Sequence, residues 1–590
     1  MKLGSLVVVV PLLATTAHAG GLFLPGSGAT STSRAGAAVA SAADGEALSI
    51  NPAGLAKTTG TTITISTTFI RYFMDFTRRG TYDATPDDRP YEGDPYPTVE
   101  NDPKPPLGIA KFQPIPVVAV VTDLGGRLGD ARLALGLYAP QGYPFRDMTA
   151  GYKFPVAGDP NADLTSAPPP TRYDIMTQES RLLLPTIAAA YRLSPKLDLG
   201  ARFTAGSVQS KSVVAVWGTP FNVGESVAND SLFTADVKDG FIPGFGLGFA
   251  YRPSANLEIG FNYSSSLVIK AKGTASSVKG PGVSADRAIG PVPDEMASCQ
   301  TGGQGIVVGD TVDAQKACIS LQLPRSATLG VRYKILDKTF REKGDIEFNV
   351  AWENWGKTCK TNPNDAVDDP ADPFDGPGQF TDHECTSPGQ YKVVIDSGLY
   401  TNGNFAQPLE KNYVNYGLRD TYSFRLGGSY HILRSEPTID PLSPNGGPPI
   451  DAPPPRGNEI TLRGGIAYDT AAAKEGWLRS NFDGAARLTT TLGAAFRTRR
   501  FEVNLGGGFV YEGENTNPGA KADGSDCNPT LAAGQLGCAG TNQDRPINER
   551  QGPDPTNPLL QPPFQTENPY NQGTYKSHYL LMMLGFTTWF

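Results

Sequence analysis

The sequence predicts an all-β fold, a 14-stranded antiparallel transmembrane β-barrel. Three observations lead there: an export signal at the N-terminus, strands that are apolar on one face only, and connections that alternate between short and long.

Lys2 gives a short positive start, residues 3–13 form an apolar run, and Ala17-His18-Ala19 precedes Gly20 as a small-residue cleavage site. This run is too short to span a bilayer, so residues 1–19 read as a signal peptide and the mature chain is expected to begin at Gly20. No later stretch is long and apolar enough to form a membrane-spanning helix. The 67 glycines, the many Thr, Ser, Tyr and Phe residues and a mean hydropathy below zero fit strands that are greasy on one face.

Phe245, Leu247, Phe249 and Tyr251 alternate with small residues, and after a short turn Leu257, Ile259, Phe261 and Tyr263 alternate again, which makes a hairpin with one apolar face. Runs of this kind are expected near 61–74, 114–123, 130–139, 172–192, 196–217, 232–252, 256–272, 318–336, 343–357, 414–433, 458–470, 484–498, 500–513 and 573–590. Pro114, Pro116 and Pro185 weaken the second and fourth, since proline gives no donor to a ladder. Between the runs, short turns alternate with long polar loops at 75–113, 140–171, 273–317, 358–413 and 514–572. A barrel with short periplasmic turns and long extracellular loops has this order, and a soluble sandwich has no reason for it. The Pro-rich stretch 435–458 falls where a short turn belongs, and reads either as a shifted register or as an extended periplasmic insertion.

Strands running toward the periplasm end in an aromatic followed by a base: Tyr191-Arg192, Tyr251-Arg252, Tyr333-Lys334, Tyr430-His431 and Phe496-Arg497. An interfacial girdle with a cation just beyond each ring is the expectation. Six cysteines in an oxidising compartment allow 15 pairings, of which the loop-local set Cys299–Cys318, Cys359–Cys385 and Cys527–Cys538 is the economical one. A net charge of -8 speaks against nucleic acid as a partner. The cysteine spacings and four histidines give no metal motif, there is no G-x-S-x-G or H-E-x-x-H, and the acidic run at 365–375 lacks an EF-hand glycine spacing. No enzyme, metal or cofactor is therefore expected.

The chain closes on a strand whose Leu584, Phe586 and Phe590 share one face, similar to the C-terminal aromatic signal through which barrels meet their assembly machinery. Its mature start is rich in Ala, Gly and Ser and carries Arg34-Ala35-Gly36-Ala37 and Asn51-Pro52-Ala53-Gly54-Leu55. These motifs resemble the FadL/TodX family of outer-membrane transporters for long-chain fatty acids and hydrocarbons. Leu137-Tyr138-Ala139-Pro140-Gln141-Gly142, Trp352 to Trp355 and Leu462-Arg463-Gly464-Gly465-Ile466-Ala467-Tyr468-Asp469 agree with it.

The resemblance implies a small N-terminal hatch, residues 20–58, inside a barrel of residues 59–590 in the bacterial outer membrane. It further implies passive transport: capture of a hydrophobic small molecule by loops and a lumen pocket, hatch movement, and lateral release into lipid. A non-specific diffusion porin or structural surface barrel is the alternative. Asn51, Pro52 and Ala53 match the hatch motif; Pro52 fixes a turn, and the Asn51 side chain is suited to holding neighbouring backbone. They read equally as gating residues and as seating for the plug. Leu22, Phe23 and Leu24 form an apolar tip suited to a ligand pocket, or to packing within the plug. Arg202, Arg332, Arg425 and Arg463 are expected on the lumen face, as partners of a ligand carboxylate or of lumen acids. The lumen itself is expected to be polar, Gly136 is a candidate weak point in the wall, and a monomer is expected.

Overall fold

Alternating apolar and small residues give strands with two unlike faces, and such strands bury both their backbone and one face only by closing into a cylinder. The computed structural model describes residues 23–82, 84–216, 225–283, 287–291, 299, 307–308, 311–337, 341–356, 388, 390–395, 397–401, 404–408, 412–416, 418–433, 458–473, 478–481, 484–517 and 573–590. Among these residues, fourteen wall strands pair antiparallel in chain order. They are β1 (Thr61–Arg78), β2 (Gln113–Thr122), β3 (Ala131–Tyr138), β4 (Thr177–Ser194), β5 (Leu197–Val216), β6 (Ser231–Tyr251) and β7 (Leu257–Ser264, continued by Leu267–Lys279). The second half comprises β8 (Thr311–Leu323, continued by Ser326–Leu336), β9 (Glu342–Glu353), β10 (Thr421–Leu433), β11 (Glu459–Asp469), β12 (Arg487–Arg497), β13 (Phe501–Asn517) and β14 (Gly573–Trp589). The cylinder closes where β14 pairs with β1, from Thr62 opposite Trp589 to Arg78 opposite Gly573.

Phe203, Phe245, Leu247, Leu462, Leu492, Leu584 and Phe586 are exposed on the outer face, the belt that meets hydrocarbon. The girdle differs from expectation in one respect. Tyr191, Tyr251, Tyr333, Tyr430 and Phe496 do point outward, but the base after each lies one residue on and therefore faces inward. Arg192 and Arg252 both reach Asp198, at 2.9 and 2.8 Å; Lys334 lies 3.4 Å from Glu258, His431 2.7 Å from Glu459 and Arg497 3.9 Å from Glu502. The rings face the membrane, and the cations pair with acids on the inner face of the wall.

Several strands run farther than their apolar stretch, with β1 reaching Arg78, β7 reaching Lys279 and β13 reaching Asn517. The long connections accordingly run 79–112, 139–176, 280–310, 354–420 and 518–572. Conversely β4 starts at Thr177 rather than 172, because Arg172, Tyr173 and Asp174 alternate like a strand but hold loops together. Arg172 pairs with Asp230 at 3.0 Å and Glu225 at 3.1 Å, Arg78 also pairs with Glu225, and Asp174 receives Arg479 at 2.9 Å and the Ser480 amide at 2.8 Å. Burial pushes the Asp230 carboxyl up to about 6 despite Arg172, whereas Arg78 and Arg172 outweigh burial at Glu225 and hold it below its ordinary value. Cys299 and Cys318 form a disulfide with Cα atoms 5.6 Å apart, Cys318 lying on β8 itself. Residues 1–19, Leu22, Cys359, Cys385, Cys527, Cys538, the acidic run 365–375 and the Pro-rich segment short of Asn458 lie outside the described residues.

Candidate functional site

The segment from Phe23 to Thr58 is built from two short helices, α1 (Ala29–Thr32) and α2 (Ala47–Ile50), and a 3-10 turn at Pro52–Lys57. Wall strands surround it. Ala29 donates its amide to Ser66 of β1, Ala35 to Thr491 of β12, and Ala40 and Ser41 to the carboxylate of Glu347 on β9. Small residues make this fit: a Cβ at Gly200 of β5 would overlap Pro52 and Ala53, and one at Gly465 of β11 would overlap Arg34. The Ala/Gly-rich composition thus lets two backbones meet without side chains between them.

Charge completes the seat. Arg34 places both terminal nitrogens on Asp345, at 2.9 and 2.6 Å, and lies 3.3 Å from Glu347. Lys57 sits 2.5 Å from Glu258, which also receives Arg332 and Lys334. Within the segment, the Glu46 carboxylate accepts from the Thr30 and Ser31 amides and from Ser66, tying α2 to α1 and both to the wall. Arg34 stood in a motif read from the sequence but was given no role there; Lys57, Asp345 and Glu347 had no local signal, because Arg34 meets Asp345 across 311 residues and Lys57 meets Glu258 on the far side of the chain's first half.

The residues singled out from sequence divide between this seat and the apolar lining above it. Asn51, fully buried, accepts from the Ala53 amide at 3.1 Å and donates to Val39 O at 2.8 Å and to Phe249 O of β6 at 3.1 Å; Pro52 opens the 3-10 turn. Arg202 donates to Leu48 O and Ser49 O at the end of α2, Arg332 pairs with Glu258, Glu342 and Asp345, Arg463 pairs with Glu502 at 3.1 Å, and Arg425 bonds Ser423 on its own strand. Gly136 is no weak point: it is paired on both sides, to Ala119 and Thr186, with Leu48 packed over it.

The expectation of a polar lumen holds only for the half that contains these ion pairs. The other half is greasy. Ile70, Tyr72, Met74 and Phe76 on the inner face of β1 pack with Tyr575, Tyr579, Leu581 and Met583 of β14 and with Tyr143, Phe145 and Met148. Across the barrel, Val237, Ile242, Ile269, Ala271, Ala317, Leu323 and Trp355 make a second apolar surface. The tip of the N-terminal segment joins both: Leu24 belongs to the first, and Phe23 meets Trp355 with ring centroids 6.1 Å apart. A buried cation, Arg146, enters the first part of this lining. Arg146 is 5% exposed, lies over the Tyr72 ring at 4.6 Å and donates only to carbonyls of Ser480, Tyr143 and Phe145, with no carboxylate partner among the described residues.

The wall beside the first cluster is interrupted. β3 ends at Tyr138, paired to Val117 and Leu184, although β2 continues to Gln113 and β4 begins seven residues earlier, at Thr177. The chain turns inward, Gln141 donating to Thr32 and Thr68 while its carbonyl accepts from Leu24, and pairing resumes only with Phe145–Asp147. Pro114 and Pro116 face this interval without an N–H to offer.

An outer apolar belt, a filled and ion-paired lower lumen and an apolar upper lumen define an outer-membrane β-barrel, and comparison with known proteins agrees on that fold. Residues 181–435 match the family model described as outer membrane protein transport protein (OMPP1/FadL/TodX), the family that the N-terminal motifs resemble, and its location is the bacterial outer membrane. A solved Pseudomonas aeruginosa FadL homologue superposes with a TM-score of 0.58 at 14% identity, covering 97% of this chain and 100% of that one. The toluene transporters TodX of P. putida and TbuX of Ralstonia pickettii each give 0.51, at 13% and 12% identity, covering 96% of this chain and 99% of theirs. At such identities the likeness is one of fold. Among curated proteins none matches by sequence.

Proposed function

We propose that the chain passively transports hydrophobic small molecules, long-chain fatty acids or hydrocarbons, across the outer membrane, with residues 20–58 acting as a hatch. The observation that carries this reading is the stacking of an apolar upper lumen on a filled, ion-paired lower one. A greasy solute entering from outside finds a favourable lining and then a charged floor, where its transfer is costly. The interruption after Tyr138 serves as the way out, because it breaks the pairing of the wall beside Ala139, Tyr143 and Phe145 of the same lining. Asn51, Pro52 and Ala53 serve as the hinge side of the hatch, and Phe23 and Leu24 as the part that senses the ligand. The FadL homologue and the toluene transporters share this fold, which supports the substrate class.

The test sets this against a diffusion porin. Vesicles bearing the full chain should take up labelled toluene and oleate while excluding arabinose, and deletion of residues 20–56 should abolish the selectivity. Rapid arabinose entry through the intact chain would overturn the proposal.

A further inference from the structure

Beyond the membrane belt, β5 to β8 continue as an extended sheet whose inner residues, Val237, Ile269, Ala271 and Ala317, belong to the second apolar lining. Their neighbours must then face outward. Lys211, Lys238, Lys270 and Lys272 stand there exposed, with the partly buried Lys316 on the next strand. Register places Lys238 opposite Lys272, Lys211 opposite Asp236, and Thr274 opposite both Asp236 and Lys316. Like charges facing each other across an antiparallel pair are destabilising, and none of the first four lysines has a carboxylate within ion-pair distance among the described residues. Among the described residues, Asp236 is the acid exposed on this face, and Asp239 lies beside it at the strand irregularity. The four exposed lysines against two acids, among the described residues, leave it basic, in a chain whose net charge is -8.

Its height is set by the belt below. Tyr251 marks the periplasmic edge of β6, and Phe241, 61% exposed, is the last large outward apolar residue on that strand. The ten residue steps from one to the other span about 25 Å of membrane height at a rise of about 3.3 Å per residue and a tilt of about 40°, which matches the apolar band of such barrels. Asp239 accepts from the amides of both Phe241 and Lys270, so the lysines begin immediately above that edge. Cations on stems of four carbons, one step outside the hydrocarbon, lie where the polar heads of the outer leaflet lie.

We infer that the outward lysines of β5 to β8 bind the phosphate groups of an anionic outer-leaflet glycolipid of the lipid A kind, its acyl chains lying along the belt below. The phosphates neutralise a repulsion that the sheet cannot relieve by itself, and Phe241 contacts the chains. This site is on the outside of the wall and does not depend on what passes through the lumen.

Native mass spectrometry of the detergent-purified full chain, with diphosphoryl lipid A as probe and enzymatically dephosphorylated lipid A as control, tests the inference. Lys238→Gln combined with Lys272→Gln should weaken diphosphoryl lipid A binding about tenfold and leave the dephosphorylated control unchanged. The same pair should hold or raise the barrel's thermal midpoint, since it removes a like-charge contact; a merely structural role would move midpoint and binding together. Asp236→Asn should tighten binding severalfold, and decides the matter if the lysine pair fails to fold. Unchanged binding in either variant, or equal loss with the dephosphorylated control, would overturn the inference.

Discussion

The side-chain amide of Asn51 donates to the Phe249 carbonyl of β6 and, from the same nitrogen, to the Val39 carbonyl of its own segment. One group therefore holds the two sides of the seat together. Asn51→Ala leaves both carbonyls buried without that donor, at a cost of about 1–3 kcal/mol. The segment carries tryptic sites at Arg34, 2% exposed, and Lys57. Brief trypsin treatment of the folded barrel should cut the variant there severalfold faster than the wild type; equal rates would remove Asn51 from the seat.

Gly200→Val probes the same contact from the wall. A side chain there overlaps Pro52 and Ala53, so the barrel should still close while the segment is displaced. Arabinose should then enter vesicles that exclude it with the parent protein. A variant that stays sealed would show that the wall yields instead.

Asp44 gives the seat a pH dependence. Burial first, then the neighbouring Glu46 and Glu502 charges, push its carboxyl from 3.8 up to about 7. A folded value raised above the unfolded one means stability fully present below pH 3.8 and lost as pH rises through 7. Amide exchange of residues 29–50 should therefore be slower at pH 5 than at pH 8 once intrinsic rates are corrected. Asp44→Asn should flatten the difference, and a slope of the opposite sign would exclude Asp44 as its source.

Arg146 separates two ligand classes. A buried guanidinium without a carboxylate partner attracts an anionic head and offers nothing comparable to a neutral ring. Arg146→Met should lower oleate uptake about tenfold or more and leave toluene uptake within about twofold. Parallel losses of both would make Arg146 a packing residue.

The barrel was legible because alternation is local: each strand declares its two faces within a few residues. The upper lumen was not. Ile70, Tyr72, Met74 and Phe76 point inward where outward neighbours such as Phe69 and Phe73 are also apolar, so that part of β1 reads as greasy on both sides and hides which face is the lining. Pro114 and Pro116 were visible as flaws in a predicted strand, and the flaw proves to border the break in the wall. The separation of Tyr251 from Arg252 follows from the same two-residue period that predicted the strands. The bases nonetheless read as surface anchors, although Arg192 meets Asp198 and Arg252 meets Glu258 six residues on, across the turn of the same hairpin.

The seat also fixes an order of events. Arg34 finds Asp345 at a sequence separation of 311 residues, and Ala35 finds Thr491 at 456. The N-terminal segment is synthesised and exported first, yet its partners exist only once the wall has been built through β12. It must wait unseated while the chain passes from Ala35 to Thr491, a separation of 456 residues, and loop closure over such distances is slow to be rewarded. A polar, glycine-rich stretch with few large apolar groups tolerates that wait without aggregating, so its composition suits the journey as well as the destination.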